Sequence, residues 1–275
     1  MNVGDNAWIY GVYVCPDIDI ATYTLAGVAD PRRGWGLEGD TFNALGELSR
    51  LGTDAWFRLG DMDLATCLLR TEMIRKGATL TSATDRIRRA FGVRSRILPA
   101  TDRPVETWLS TSQGAMHLQE FWVRERGMPK VEGVTYRGAR GSPPTGKVKS
   151  AIRSADRVVI CPANPVTSIG PMLALPGLSG LLGGSSARVV ALSPMIGRAP
   201  VSGPAGKLLK SIGVRPDSVG VATLYSGFLD AMLISDGDSA LKGPIDSLGV
   251  RCAATDTMMA DHAAESRLAK ELLEI

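Results

Sequence analysis

The sequence predicts an α/β fold: a parallel sheet with helices on both faces, carrying an inserted helix and hairpin segment. Three observations lead there. In the second half, short apolar runs alternate with segments of helical spacing. Two of those runs, Arg157 to Cys161 and Arg188 to Leu192, each end in a polar loop containing proline. Between Val105 and Val134, aromatic and β-favouring residues replace the helical spacing that precedes them.

Taken in order, Ala7 to Val14 is an apolar segment that reads as one strand, ending at Val14-Cys15-Pro16. Phe42, Leu45 and Leu48 predict a helix from Asp40 to Leu51, with Asp40-Thr41 as its cap. A second helix is expected from Asp63 to Lys76, its buried face formed by Leu64, Leu68, Leu69 and Met73, with Gly77 as the stop. Ser82 to Phe91 repeats the pattern, and its basic cluster, Arg86, Arg88 and Arg89, reads as a solvated face. Val105, Trp108 and the Met116 to Val123 run suggest a hairpin turning at Gly114. Tyr136 to Lys147, rich in Gly and Pro, is expected to be a loop or linker.

Beyond it, Arg157 to Cys161, Arg188 to Leu192, Val219 to Leu224 and Val250 to Ala254 are the expected strands. Helices are expected at Lys147 to Ser154, Pro204 to Ile212 and Asp261 to Glu274, the last burying Ala264, Leu268 and Leu272. Residues 1–60 and 147–275 are therefore assigned to a Rossmann-like nucleotide-binding core and residues 61–146 to an inserted subdomain. Ligands of such sheets gather at the carboxyl ends of the strands, where the Pro and Asn loops lie.

Composition excludes several classes. The 275 residues carry 31 basic and 28 acidic side chains in no basic stripe, which argues against nucleic acid as a partner. Cys15, Cys67, Cys161 and Cys252 are far apart, and only His117 and His262 are present, so neither a zinc ribbon nor a multi-histidine metal site is available. The most apolar region, Pro171 to Gly197, is broken by Pro and Gly, so no membrane span is expected; a cytoplasmic protein is.

Chemistry must come from constellations, since no standard catalytic or phosphate-loop signature is present. Asp5, Asp17 and Asp19 cluster around the first strand, a donor set suited to a hard cation such as magnesium; from composition alone, acids in such a cluster more often serve as caps or turn ends. Arg58 stands beside Gly60, Asp61 and Asp63, where its guanidinium suits an oxyanion or a flat ring and Asp63 suits an N-cap. The loop Asn164 to Gly170, with Asn164, Thr167 and Ser168, follows a buried strand and could cradle phosphate or read a base edge. Val201 to Lys207 places Ser202 and Gly203 ahead of a helix with Lys207 in its first turn, the layout of an anion site.

These segments together resemble the 2-phospho-L-lactate transferases that assemble the deazaflavin coenzyme F-420. The resemblance is carried by Asn2-Val3-Gly4-Asp5, Pro16-Asp17-Ile18-Asp19, Tyr23 to Gly27, Arg33 to Gly36, Gly39 to Phe42 and Leu59-Gly60-Asp61. It continues through Ile97-Leu98-Pro99, Gln119 to Trp122, Asn164 to Pro171, Ser193-Pro194 and Val201 to Lys207, and so spans nearly the whole chain.

What the resemblance implies is a magnesium-assisted transferase. It moves a phospholactyl or phosphoenolpyruvyl group from a guanosine diphosphate-linked donor to the ribityl hydroxyl of the deazaflavin Fo, and GMP leaves. By that resemblance Asp5 holds the metal, Asp5 and Asp19 are catalytic, and Asp19 and Arg58 contact the deazaflavin. Asn164, Thr167, Ser168, Ser202, Gly203 and Lys207 are further assigned to the nucleotide and its phosphates. A homodimer is implied as well.

The sequence departs from the family pattern in places. Asn6 stands where a second aspartate is common, Met62 where arginine is, Cys67 where histidine is, and Ala163 where serine is. Members open with a strand and a glycine-rich turn, which here would lie before Met1. The sequence therefore reads as a fragment or as one with a misassigned start, with an uncovered sheet edge or a stripped core face as the expected result. The alternative reading is a non-catalytic sugar-nucleotide-binding regulator of the related gluconeogenesis-factor type. Pro16 to Asp19 and Arg33 to Gly36 favour the transferase.

Overall fold

The computed structural model describes residues 1–200 and 203–275. Its first apolar segment is a hairpin rather than one strand. β1 (Ala7–Ile9) and β2 (Val12–Val14) pair antiparallel across Tyr10 and Gly11, whose φ values of 50° and 80° make the tight two-residue turn that joins twisted strands. Ile9, Val12 and Val14 point inward onto Leu59 and Cys67.

Proline opens α1 (Pro16–Leu25), where its missing N–H costs nothing. The starts of α2 (Asn43–Arg50) and α3 (Asp61–Arg75) cap each other. The Asp61 carboxylate accepts from the Asn43 and Ala44 amides at 3.0 and 2.9 Å, while Asp40 accepts from the Met62 and Asp63 amides at 2.8 and 3.1 Å. Asp40 therefore caps the helix after the one expected, and Gly60 is required because a Cβ there would run into the Asp40 carboxylate. The buried face of α3 is Thr66, Cys67, Arg70 and Thr71, not the leucine stripe, and Leu68 is exposed. A face that meets a buried acid on α1 must carry polar partners, which apolar periodicity does not register. α4 (Leu80–Ala90) is capped by Thr79; Arg86 and Arg89 are solvated as expected, but Arg88 turns inward to Asp85 and the Val93 carbonyl.

The expected hairpin is present and gains a third strand. β3 (Glu106–Thr111), β4 (Gly114–His117) and β5 (Val131–Arg137) form an antiparallel sheet in the order β4-β3-β5. The Met116 to Val123 run stops being strand at His117; residues Glu120–Arg124 form a π-helical turn. After α5 (Gly146–Arg153) comes β6 (Arg157–Ile160), then a second π-helical turn (Pro165–Ile169), α6 (Gly170–Leu173) and α7 (Leu178–Gly183). β7 (Arg188–Leu192) leads through the short pair β8 (Met195–Ile196) and β9 (Ala199–Pro200) to α8 (Ala205–Ser211) and α9 (Ser218–Tyr225). The chain ends with β10 (Ala231–Ser235), α10 (Lys242–Asp246), β11 (Arg251–Thr255) and α11 (His262–Glu274).

The predicted α/β class holds. β6, β7, β10 and β11 form a parallel sheet in the order β11-β10-β7-β6. Side chains alternate across it: Val190, Leu192, Ala231 and Leu233 pack on Leu268 and Leu272 of α11, while Val189, Ala191, Met232 and Ile234 face Leu208, Leu209 and Val221 of α8 and α9. Val219 to Leu224, expected as a strand, is helix α9. Asp217 caps it by accepting from the Gly220 amide at 3.0 Å, and the sheet position is taken by β10, every residue of which is buried. No helix among the described residues is long and apolar enough to cross a membrane.

Candidate active site

The N-terminal loop brings two acids together. Asn2 is buried, and its Nδ2 donates to Asp5 Oδ1 at 2.9 Å, to Asp17 Oδ2 at 3.0 Å and to the Thr167 carbonyl at 3.1 Å. Its Oδ1 accepts from the Gly4 amide at 2.8 Å, closing a tight turn. Gly4 has no room for a side chain, because a Cβ would strike Pro171 and Thr107. Burial, and then repulsion from Asp17, hold the Asp5 carboxyl well above the ordinary carboxylate range; burial likewise raises Asp17. Each acid thus holds its proton more readily than a free carboxylate, and the nearby charge of a divalent cation is what would favour their ionised, oxygen-donor form.

These acids border a cavity of about 550 Å³ whose opposite wall is the loop after β6 and the segment before α8. Asn164, Thr167, Ser168 and Gly203 all line it, so the structure brings these four together with Asp5. Asn164 Oδ1 is occupied locally, accepting from the Val166 and Thr167 amides at 2.9 and 3.2 Å as the cap of the second π-helical turn. Ser202 lies outside the described residues. Lys207 is not brought to the cavity. Its Nζ donates to the Gly127 and Met128 carbonyls at 2.8 and 3.1 Å and sits 5.5 Å from the Phe121 ring centroid, fastening the turn after the first π-helical turn.

A second cavity of about 510 Å³ adjoins the first, and Gln119 and Trp122 line both. Its walls are Tyr23, Trp35, Phe57, Trp122 and Arg58, and its floor carries Asp19 and Asp63. The Arg58 guanidinium lies 4.8 Å from the Phe42 ring centroid and 5.9 Å from that of Trp35, in cation–π range. Asp19 is ion-paired with the fully buried Arg70 of α3; burial raises its carboxyl and the arginine offsets part of that rise. Tyr23 donates its hydroxyl to Asp63 at 2.7 Å, yet burial and then the Asp19 charge push Asp63 up to about 6. Asp19, Asp63 and Cys67 have ligating atoms within 4.8 Å of one another. The guanidinium on Asp19 already supplies positive charge there, and burial keeps the Cys67 thiol protonated, so this cluster is a poorer cation site than Asp5 with Asp17.

Sequence reasoning gave no role to Asp17 beyond the acid cluster, and none to Asn2, Gln119, Trp122 or Arg70. Asn2, Asp17, Gln119 and Trp122 lay inside segments that carried the family resemblance, which was the available signal. Arg70 carried no signal, because a buried cation inside a helix looks like a surface residue.

The model of the family described as 2-phospho-L-lactate transferase CofD matches residues 1–261. The chain belongs to the 2-phospho-L-lactate transferase family. Among similar members, 2-phospho-L-lactate transferase of Methanosarcina mazei is 40% identical over 275 residues, covering 100% of this chain and 89% of its own length. The enzyme of the same name from Methanopyrus kandleri is 41% identical, covering 100% and 88%. Phosphoenolpyruvate transferase of Mycolicibacterium smegmatis is 38% identical, covering 100% and 86%. In fold, the family chain superposes on a UPF0052 family protein from Bacillus halodurans with a TM-score of 0.61 at 18% identity, covering 98% of this chain and 89% of that one.

Proposed function

We propose that this chain transfers a phospholactyl or phosphoenolpyruvyl group from a guanosine diphosphate-linked donor to the terminal ribityl hydroxyl of the deazaflavin Fo, releasing GMP, in coenzyme F-420 biosynthesis. One observation carries the reading: an aromatic cavity and an acid-lined polar cavity meet at Gln119 and Trp122, so that a flat ring and a diphosphate can lie end to end. In this reading Trp35, Phe57, Trp122 and Arg58 hold the ring, and Asp19 accepts a hydrogen bond from it. Asn164, Thr167, Ser168 and Gly203 border the diphosphate.

Asp5 and Asp17 suit magnesium in charge, hardness and proximity, with Asn2 holding both in place. When bound, magnesium neutralises negative charge on the phosphate oxygens. The protein's own part is orientation. A new P–O bond forms to the alcohol oxygen, the bridging P–O bond to GMP breaks, and the alcohol proton is released. Such a transfer depends on in-line placement and charge neutralisation more than on covalent help. Gln119, whose Nε2 donates to the Asp5 carbonyl at 3.3 Å, fixes the junction where the two substrates meet.

The test is incubation with Fo, magnesium and each guanosine-linked donor in turn, followed by mass analysis. A phosphodiester product with one donor supports the reading and identifies the three-carbon acid. Absence of product with both donors, while GMP is not released, rejects it.

A further inference from the structure

Arg70 is the largest fully buried side chain described, and its contacts are directional. Nη2 pairs with Asp19 Oδ1, and Nη1 donates to the Tyr13 carbonyl of β2 at 3.0 Å, with the Cys67 sulfur 3.7 Å away. The carboxylate is thereby located against both β2 and α3. Asp19 Oδ2 is buried, belongs to a residue lining the ring cavity, and has no hydrogen-bond partner among the described residues. A buried ion pair is a weak way to gain stability, since apolar residues of the same volume serve as well or better. A buried oxygen without a hydrogen-bond partner is costly, and Arg70 Nε is likewise buried and unpartnered, so the pair is not closed within the protein.

We propose that Arg70 is a positioning residue for ring binding: it ties one oxygen of Asp19 so that the other stands as a fixed acceptor for a hydroxyl or ring N–H of the flat substrate. This rests on the ring assignment made above. A guanidinium is needed because two separate acceptors, Asp19 and the Tyr13 carbonyl, must be held by one planar group, which an ammonium cannot do with the same geometry. The Cys15 backbone N–H also favours the charged form of Asp19, but the other side chains facing it leave Oδ2 without a partner. Tyr23 has its hydroxyl on Asp63, Asp63 and Asp19 repel each other, and the Cys15 and Cys67 thiols are weak donors.

The experiment compares the parent protein with Arg70→Gln and Arg70→Lys in two titrations, one with Fo read by its fluorescence and one with GDP read by calorimetry. Arg70→Gln is expected to weaken Fo binding about tenfold or more while GDP affinity stays within about twofold, and Arg70→Lys is expected to recover part of the loss. The inference is overturned if Arg70→Gln binds Fo like the parent, or loses Fo and GDP affinity in equal proportion. Should Arg70→Gln not fold, Arg70→Lys decides by the same two criteria. Failure of the parent itself to bind Fo, with GDP still bound, rejects the proposed function and removes this inference with it.

Discussion

At the scale of single residues, Asp5 and Asp17 illustrate how a site can work against the fold that holds it. Both carboxyls keep their protons to higher pH than in the unfolded chain. The folded state therefore binds more protons, and stability is greatest in acid and falls as pH climbs from the ordinary carboxylate range, near ~4, into the raised range. Asp17→Asn removes one charge while keeping an oxygen for Asn2. Thermal melts without metal are expected to show this variant more stable than the parent at neutral pH, with the difference vanishing in acid. If Asp5 and Asp17 hold magnesium as proposed, the metal is expected to raise the melting temperature of the parent and not of the variant; equal responses would remove Asp17 from the proposed site. Asp5 was legible in the sequence by type and clustering, as were Asp19, Arg58 and the Asn164 loop. Lys207 was misleading because its position in a helix's first turn says nothing about where four methylenes carry its ammonium, here away to the carbonyls after Phe121.

At the scale of elements, the sequence located α2, α3, α4, α5, α8 and α11 and, to within a residue at each end, three parallel strands, since amphipathic spacing and short apolar runs report burial directly. It failed where burial was not apolar or where caps decided the outcome. Val219 to Leu224 has β-branched residues suited to a strand, yet Asp217 two positions ahead starts a helix. Ala7 to Val14 hides its turn, because Tyr10 adopts positive φ beside Gly11. The mutual caps of α2 and α3 are invisible to local reading, as each carboxylate serves a helix other than its own neighbour in sequence. Gly60→Ala tests that arrangement: by displacing Asp40 it is expected to cost about 1–3 kcal/mol in denaturant unfolding. A loss below about half a kcal/mol would mean that the Met62 and Asp63 amides do not depend on Asp40.

At the scale of the whole molecule, the antiparallel strands and the parallel sheet share one core, with Leu109, Met116, Phe121 and Val131 in the same cluster as Ile160, Val189 and Met232. This junction carries the first π-helical turn, and so places Trp122 between the two cavities. No sequence pattern announces such a meeting of distant segments, which is why the crevice as a whole was readable only through family resemblance. Trp122→Ala is expected to lower kcat/KM about tenfold or more, with both substrates affected, because it opens the wall common to both. A defect confined to one substrate would indicate two independent sites.

The Asn2 side chain has two amide protons and faces three acceptors, on Asp5, Asp17 and Thr167. Without a cation the arrangement is a compromise in which one oxygen is always underserved. A divalent ion that took over a carboxylate would relieve the shortage and free a proton for the Thr167 carbonyl, tightening the turn that lines the polar cavity. Deuterium uptake by the amides of residues 165–169 should accordingly slow on adding magnesium alone, and should not slow in Asn2→Ala.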